Sequence, residues 1–573
     1  MAVYVLDEMP KEAHGNQQLV TLSEAFMDGM ITRWQAQFLA DTAYSFALNA
    51  NLDDITRPKR RDGFSKSGIT TGDLDNLTSR PSGGLYFNPS STGSRKIFLA
   101  VNAHNAFYYA TSLSGAWTNA QTGAAADIDP ASDDCVMFQV ADVVFALRGT
   151  SEVVAFNSSG VGLVSTGTGN SPPTSGVDGF SFLNRAWILT SGNPPKLYYS
   201  ILLPTQAGID TQWERTTPTA TAGFFSLAPE VGAQPIAARP WNGQSVVVWF
   251  DSSVEEVIPG SDFTATSSFY TGAIRRVIEP KIGCCSRDSV VSSGQDFFFC
   301  DQYGQVRNLS QTVTADQAGV VAEPLSDRIK EEIPGRVNTT YLSKMRSIIF
   351  KDKLLVAYPR DGATEANAIA VFSLTHKIWT SIWLFPRPIA RWMVCNIAGL
   401  GDELFFFDGG TTSNPTTAAA TYVYRMFRGT YLDDATAIPF EFETRAHDFG
   451  RSDLNKEPRF VEVDLRGDQG CSVVVSVQYD ENGLYNELSS SPVLLTAGGG
   501  TWIDYVPNMD YPLIAPVTAL ARRTLQMTRD NATWGAARFH RFKVREATGG
   551  KSFALAGLRF AAQPKAYKPV GVN

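Results

Sequence analysis

Residues Tyr341–Trp383 read YLSKMRSIIFKDKLLVAYPRDGATEANAIAVFSLTHKIWTSIW and contain three short apolar runs, Met345–Phe350, Lys353–Tyr358 and Ala368–Leu374. The polar pair Lys351 and Asp352 separates the first two runs, and a glycine-bearing loop precedes the third. Runs of about six residues that are rich in Ile, Val, Phe and Tyr and bounded by turn residues are typical of antiparallel strands. We therefore predict that this stretch, with Trp379 and Trp383 as inter-blade packing, forms one blade of a β-propeller.

The same pattern recurs along the chain between about residues 83 and 429. Each unit has a strand core that follows a polar or glycine-bearing tight turn, and most units continue with a second apolar strand. The cores are Lys96–Val101, Val143–Leu147, Ala186–Thr190, Val246–Phe250, Asp296–Cys300, Leu354–Tyr358 and Glu403–Phe407. Successive cores lie roughly 43 to 60 residues apart, near the repeat of four-stranded propeller blades. We predict an all-β chain with a β-propeller of six to seven hairpin units; a double β-sandwich is the competing architecture.

The pattern changes after about Ala437. Strict alternation, as in Phe440 to Thr444 and Val473 to Val477, is typical of half-exposed antiparallel strands. Asp480–Gly483 reads as a hairpin turn, and a calcium site there would need further oxygen ligands. Six or more such strands in some 130 residues predict a separate antiparallel β-sandwich.

The N-terminal region differs from both. Val20–Leu48 has helical spacing of its apolar residues, although Gly29 makes two short helical turns as plausible as one helix. A basic stretch follows, with Arg57, Lys59, Arg60 and Arg61, and it is interpreted either as a DNA contact or as a solvated linker into the first blade. We expect an arm over 1–80, a propeller over 81–435, a sandwich over 436–565 and a mobile tail over 566–573.

Composition limits the classes of function. The formal net charge of −8 argues against a protein that binds nucleic acid by neutralising phosphates. The six cysteines form no CxxC pair and the five histidines have no zinc-ligand spacing, so we expect free core thiols, no disulfide framework and no metal site. The first 18 residues lack a secretory pattern and no apolar run is long enough to span a membrane, so we expect synthesis in a reducing cytoplasm.

The sequence offers no catalytic constellation. It has no GxSxG, P-loop, GxGxxG after a strand, or HExxH. Ser112–Trp117 is only partly similar to the Asp-box of sialidase propellers, because the Asp is missing, and it is interpreted as a hairpin with Trp117 packed back. The acidic pairs Asp133-Asp134 and Glu255-Glu256 are interpreted as solvated charges. We therefore predict that the protein is not an enzyme and has no cofactor.

Three stretches together resemble a known family. They are Leu22–Phe64, which ends in NANLDDITRPKRRDGF; Phe182–Ser200; and Ser292–Leu309, which leads into the blade at Tyr341–Trp383. They are similar to the propeller nozzle proteins of short-tailed bacteriophages, also called tail tubular or packaged-DNA stabilisation proteins. The resemblance extends over most of the chain, but it lies in the succession of blades and not in a signature motif.

The resemblance implies a structural virion protein of the phage tail, made in the host cytoplasm. Such proteins form a six-fold ring below the head–tail connector, retain packaged double-stranded DNA, guide its ejection through the lumen and carry tail fibres, a needle or further tail parts. A ring needs large rigid side walls, which stacked blades provide, and a net acidic protein with few Lys and Arg suits a lumen along which DNA should slide. The expected surface for the adaptor ring is in the N-terminal element, with Leu22, Phe26, Met30, Trp34 and Phe38 as its apolar residues.

Two other classes of function remain open. A carbohydrate-binding or glycoside-hydrolysing propeller with a sandwich module is suggested by the domain pairing and the eleven tryptophans, and it predicts exposed aromatic rings beside carboxylates on a concave face. A protein-interaction propeller is the third class, although the Trp-Asp repeats usual in such domains are missing.

Overall fold

A computed structural model describes residues 18–21, 26–70, 81–90, 95–101, 106–120, 129–131, 134–167, 169–213, 222–227, 232–260, 273–294, 296–317, 322–397, 400–410, 423–448, 455–467, 471–479, 485–487, 493–494, 519–526, 538–546 and 551–564. The predicted turn at Asp480–Gly483 and the tail over 566–573 lie outside these residues.

In the described part of the chain, seven antiparallel units follow one another, and we number them as blades 1 to 7; the last two are joined by a shared strand. Blades 1 to 4 have four strands each. Their strands are Gly83–Phe87, Lys96–Val101, Ala106–Ala110 and Thr118–Asn119; Val136–Val140, Val143–Arg148, Ser151–Phe156 and Gly162–Val164; Gly176–Phe182, Arg185–Thr190, Lys196–Tyr199 and Gly223–Ser226; and Pro235–Trp241, Ser245–Phe250, Val254–Ile258 and Ile274–Glu279.

Blades 5 to 7 depart from this regular form. Blade 5 has Val291–Ser292, Phe297–Cys300 and Val306–Asn308 in its described part, followed by the helix Leu309–Gln317. Blade 6 has Arg346–Phe350, Lys353–Tyr358, Ala366–Ser373 and the first half of the long strand Ile378–Ile397. Blade 7 uses the second half of that strand with Gly401–Asp408 and Val423–Arg425, and the N-terminal strand Ser65–Lys66 completes it. The predicted propeller over 81–435 therefore also includes a strand from the predicted arm.

The predicted strand cores are confirmed, since each is the second strand of one blade. These strands are buried on both faces, as in Lys96–Val101 and Val143–Arg148, which is why they read as continuous apolar runs. The predicted turns hold the chain at positive φ, for example at Asn184 (56°) and Lys351 (56°), the conformation that two-residue hairpins require.

Among the described residues, seven apolar clusters lie between neighbouring blades and close the ring. Trp379 packs between blades 5 and 6 and Trp383 between blades 6 and 7, as predicted. Phe407 of blade 7 packs with residues of blade 1, and Trp117 is buried in this same cluster. Ser112–Trp117 is thus the predicted turn with its tryptophan packed back.

Two further sheets form the predicted β-sandwich, and N-terminal strands belong to both. One sheet contains Gln18–Thr21, Ala50–Asn51, Lys59–Arg60, Lys456–Gly467, Ala519–Gln526 and Phe553–Pro564. The other contains Gly29–Met30, Ala43–Leu48, Phe440–His447, Ser472–Tyr479, Tyr485–Glu487, Val493–Leu494 and His540–Glu546. A parallel bridge from Leu48 to Ile382 joins this second sheet to blade 6.

The helical spacing predicted over Val20–Leu48 yields, in the described part of this stretch, one short 3-10 helix, Ala36–Phe38. Ala43–Leu48 is instead a strand, because Phe440–His447 of the sandwich pairs with it along its length. Gly29 is at φ +69°, and a Cβ atom there would lie 2.6 Å from the carbonyl oxygen of Trp379. Tertiary pairing has therefore overridden the local apolar spacing.

The remaining elements are short. They are the strand pair Leu432–Asp433 and Thr436–Ala437, and the 3-10 helices Arg287–Ser289, Leu325–Ile329 and Thr339–Lys344. All six cysteines lie in the described residues and none forms a disulfide; five of them are buried. Within the described ranges, no helix is both long and apolar enough to cross a bilayer.

Candidate docking surface and central ion network

The residues predicted to dock an adaptor divide into a buried and an exposed pair. Phe26 and Met30 are buried in the core shared by the sandwich and blades 5 and 6. Trp34 and Phe38 are 54% and 69% exposed, and they lie on the segment Ile31–Ala40, which we call the aromatic loop. Leu22 lies outside the described residues. Five apolar residues were expected to form one docking surface. This expectation is wrong for Phe26 and Met30, whose side chains are buried in the core.

The aromatic loop is held to the segment that follows blade 5, which contains Glu323 and the 3-10 helix Leu325–Ile329. Arg33 forms ion pairs with Glu323 and Asp327, and its guanidinium lies 5.9 Å from the centroid of the Trp34 ring. The backbone N–H of Thr32 donates to the carbonyl of Arg328 at 2.9 Å. The backbone is therefore fixed while the two aromatic side chains remain in solvent.

Two grooves flank the loop, and Arg33 and Trp34 line both. The first has a volume of about 590 Å³ and includes the carboxylates of Asp28, Glu323 and Asp327. The second, of about 450 Å³, runs between the loop and the sandwich and includes Glu331, Glu332, Glu441 and Glu443, with Arg336 and Arg541. Trp34 thus lies between two grooves whose charged lining contains both carboxylates and arginines.

A second polar feature, which we call the central ion network, joins the inner strands of the propeller. Its members are Asp134, Asp178, Arg239, Arg287, Asp288, Arg346 and Arg391, and they come from blades 2 to 7. Arg287 of blade 5 contacts Asp134 of blade 2 at 2.9 Å, across the ring. Charged side chains therefore occupy the middle of the propeller.

Asp288 is the hub of this network. Arg287, Arg346 and Arg391 lie 3.1, 3.2 and 3.5 Å from its carboxylate oxygens. Burial alone would raise the pKa of Asp288, but these three guanidinium groups outweigh it and hold the pKa well below its usual range. A carboxylate that stays ionised among buried arginines neutralises them and fixes the relative positions of blades 5, 6 and 7.

The basic stretch proposed as a DNA contact also divides into two buried and two exposed residues. Arg60 and Arg61 are buried, and they form ion pairs with Glu546 and Asp433 respectively. Arg57 and Lys59 are exposed. For Arg60 and Arg61 both interpretations, a solvated linker and a DNA contact, are therefore wrong. Arg60 joins the N-terminal region to the sandwich, and Arg61 joins it to Asp433, which precedes the sandwich.

Of the two acidic pairs, only Glu255-Glu256 differs from the expectation of solvated charges. Glu255 and Glu256 are buried in blade 4, at 0% and 5% exposure, and are not solvated. Burial raises the pKa of Glu255, and the nearest cation, Arg275, is 3.9 Å away. The side chain of Asp134 is 58% exposed, as expected, although it also pairs with Arg287 in the central ion network. Asp133 lies outside the described residues.

No protein-family model matches the chain, and no curated protein matches it. Among solved structures the chain is similar to the computationally designed Ika8 protein (7% identity, TM-score 0.34, 63% of this chain and 100% of that one). It is also similar to YCF48 bound to D1 peptide (9%, 0.35, 61% and 94%) and to BamB from Moraxella catarrhalis (8%, 0.30, 60% and 97%). These similarities carry no information about activity or partners.

The tryptophans bear on the carbohydrate hypothesis. Trp117, Trp187, Trp213, Trp249, Trp379 and Trp383 are among the largest fully buried side chains. Trp34 is the one exposed tryptophan in the described part of the chain. Most of the rings that suggested a sugar-binding face are therefore blade core. Among the same described residues, no group of three or more His, Cys, Asp or Glu side chains is arranged to hold a metal ion.

Proposed function

We propose that this protein is a structural subunit of a short-tailed phage tail, which assembles into a ring-shaped nozzle below the head–tail connector. In that ring it retains packaged double-stranded DNA, guides the DNA during ejection and carries fibres or further tail parts. The observation that carries the proposal is the aromatic loop, where Trp34 and Phe38 stand in solvent on a backbone fixed by ion pairs. Exposed aromatic anchors on a rigid support are typical of protein interfaces.

The architecture supports an assembly role as well. The sandwich and the propeller are joined through one continuous sheet and share one apolar core, so a neighbouring subunit would meet a single rigid wall. DNA would pass through the lumen of the ring and not through the propeller, whose middle holds the central ion network. A net charge of −8 suits a wall along which phosphates slide.

The test is assembly of the purified full chain alone and with connector proteins of the source particle. We expect hollow rings in negative-stain micrographs and binding to the connector in sedimentation experiments. Trp34→Ala/Phe38→Ala should weaken that binding by about tenfold or more, because anchor residues at interfaces typically contribute 1–2 kcal/mol each.

A matched control is Tyr303→Ala/Leu400→Ala, which removes two other exposed apolar side chains, at 65% and 59% exposure. It should leave connector binding unchanged. A chain that stays monomeric at high concentration and fails to bind the connector would remove the support for the nozzle.

A further inference from the structure

The outer strand of blade 4, Ile274–Glu279, presents an unusually open edge. Its first four residues, Ile274, Arg275, Arg276 and Val277, are all exposed, although neighbouring residues of a strand point to opposite faces. Ile274 and Val277 are 56% and 55% exposed, so apolar side chains on both faces of the strand lie in solvent. Arg275 donates to the carbonyl of Ser226 in blade 3 at 3.3 Å, and none of the first four residues is buried as Glu279 is. We call this strand the blade-4 edge.

The outer strands of the other blades are shorter or covered. Thr118–Asn119, Gly162–Val164 and Gly223–Ser226 have two, three and four residues, against six at the blade-4 edge. Blade 5 is followed by a helix, and Leu48 of the sandwich sheet pairs with the outer strand of blade 6. In the described part of the chain, no strand pairs with the blade-4 edge from outside. A long unpaired edge is a template for a further strand.

The chemistry of the edge indicates what such a strand would contain. Its inner neighbour, Val254–Ile258, reads VEEVI and is paired in antiparallel register with Glu256 opposite Arg276 and Ile258 opposite Ile274. Glu256 also contacts Arg276 at 2.5 Å, while Glu255 is 3.9 Å from Arg275. Each guanidinium has five N–H donors in a planar fork, so both arginines retain donors for a carboxylate on the outer side.

We propose that the blade-4 edge binds an extended segment of a partner protein in which acidic residues are flanked by β-branched apolar residues, as a fifth strand of blade 4. Backbone hydrogen bonds hold the segment, carboxylates meet Arg275 and Arg276, and apolar side chains cover Ile274 and Val277. The proposal goes beyond the nozzle and does not depend on it, because a monomer would bind such a segment equally well.

The test uses the full chain and a fluorescein-labelled peptide with the sequence of residues 253–258, SVEEVI, as the probe. Binding is followed by fluorescence anisotropy, with the same peptide carrying Lys in place of both Glu residues for comparison. We expect saturable binding of SVEEVI, about tenfold tighter than that of the Lys peptide. Amide hydrogen exchange of residues 274–279 should slow when SVEEVI is bound, which separates strand pairing from simple charge attraction.

Ile274→Lys/Val277→Lys should abolish SVEEVI binding, since added lysines are a natural protection of exposed edges. Val161→Lys/Leu163→Lys, at the outer strand of blade 2, replaces two apolar residues of 38% exposure each and should not change it. The proposal is overturned if SVEEVI shows no saturable binding at protein concentrations up to about 1 mM, which would mean a Kd weaker than about 1 mM. It is also overturned if the two peptides bind the wild-type chain equally, or if exchange at 274–279 is unchanged.

Discussion

Asp288 contacts three arginines from three blades, and it is the residue on which the centre of the propeller depends. Asp288→Asn keeps the shape of the side chain but leaves Arg287, Arg346 and Arg391 without their common counter-ion. Removing one partner of a buried ion network typically costs about 3–5 kcal/mol. We expect a loss of about 3 kcal/mol in the free energy of unfolding, measured by urea denaturation at neutral pH. Asp352→Asn, at an exposed turn, is the control and should change stability little.

The same substitution makes a prediction about pH. The pKa of Asp288 in the folded chain lies well below its ordinary value of 3.8, so its contribution to stability is fully present above that value and is lost as pH falls through the folded pKa. The difference in stability between wild type and Asp288→Asn should therefore be constant from about pH 8 to pH 5 and shrink below about pH 4. A difference that stays constant or widens down to about pH 3 would contradict the role given to this carboxylate.

A second prediction about stability concerns Arg61, where the N-terminal region meets Asp433. Its guanidinium pairs with both carboxylate oxygens of Asp433, donates to the carbonyl of Leu384 at 2.9 Å and lies 4.5 Å from the centroid of the Phe385 ring. Arg61→Ala should lower stability by about 3–5 kcal/mol, because Asp433 would be left as an unpaired buried charge.

Two comparisons sharpen this prediction. Arg57→Ala, in the same basic stretch but exposed, should leave urea denaturation unchanged. Arg61→Met/Asp433→Leu removes both charges and should recover most of the loss. If Arg57→Ala destabilises the chain as much as Arg61→Ala, the distinction between a buried and a solvated half of the stretch is wrong.

At the scale of single elements, the contact between blades 1 and 7 closes the ring. Gly84 lies on the first strand of blade 1, and a Cβ atom there would be 2.3 Å from the ring of Phe407 in blade 7. Gly84→Ala should lower the free energy of unfolding by about 1–3 kcal/mol, the usual effect of overpacking a core.

The rescue variant is Gly84→Ala/Phe407→Leu, in which the smaller side chain makes room for the added methyl group. We expect the loss of stability in the double variant, measured by thermal denaturation, to be smaller than the sum of the losses in the two single variants. Additive effects would mean that these two residues do not meet at the closure.

Elements that depend on local signals were predictable from the sequence. The second strand of every blade is a continuous apolar run after a turn, and both features are visible in a single segment such as Lys351–Tyr358. Ala43–Leu48 was not predictable as a strand, because its pairing partner, Phe440–His447, is about 400 residues away in the chain. The completion of blade 7 by Ser65–Lys66 depends on a similarly distant contact.

At the scale of the whole molecule, the propeller and the sandwich share one core. Tyr44 from the N-terminal region packs with Phe442 of the sandwich, and the same cluster contains Phe298 of blade 5 and Leu354 of blade 6. Elements that bury one another's apolar surface unfold together. We expect a single calorimetric transition for the full chain, and Phe442→Ala should lower its midpoint without splitting it.

Two separate transitions would contradict this shared core, and so would a Phe442→Ala variant in which only part of the heat absorption moves. A control is Leu183→Ala, an exposed residue of the turn after the first strand of blade 3, which should leave the midpoint within error.

The candidate docking surface was only partly predictable for a related reason. The sequence placed Phe26, Met30, Trp34 and Phe38 in one apolar group, but exposure depends on which of them the sandwich and blades cover. The central ion network was missed altogether. Its members are scattered from residue 134 to residue 391 and follow no regular spacing in the sequence. They meet only because the blades close into a ring.

The sharing of strands between the two ends of the chain also governs the order in which the protein is made. Ser45 contacts Arg541, 496 residues later, so the first of these partners leaves the ribosome long before the second exists. At the usual ~5–20 residues per second of synthesis, the delay is about 25 to 100 s. For most of that time the strand Ala43–Leu48 lacks its partner Phe440–His447, and Ser65–Lys66 lacks its partner Val423–Arg425 in blade 7. The nascent chain therefore emerges with apolar strands that need shielding until its last domain is complete.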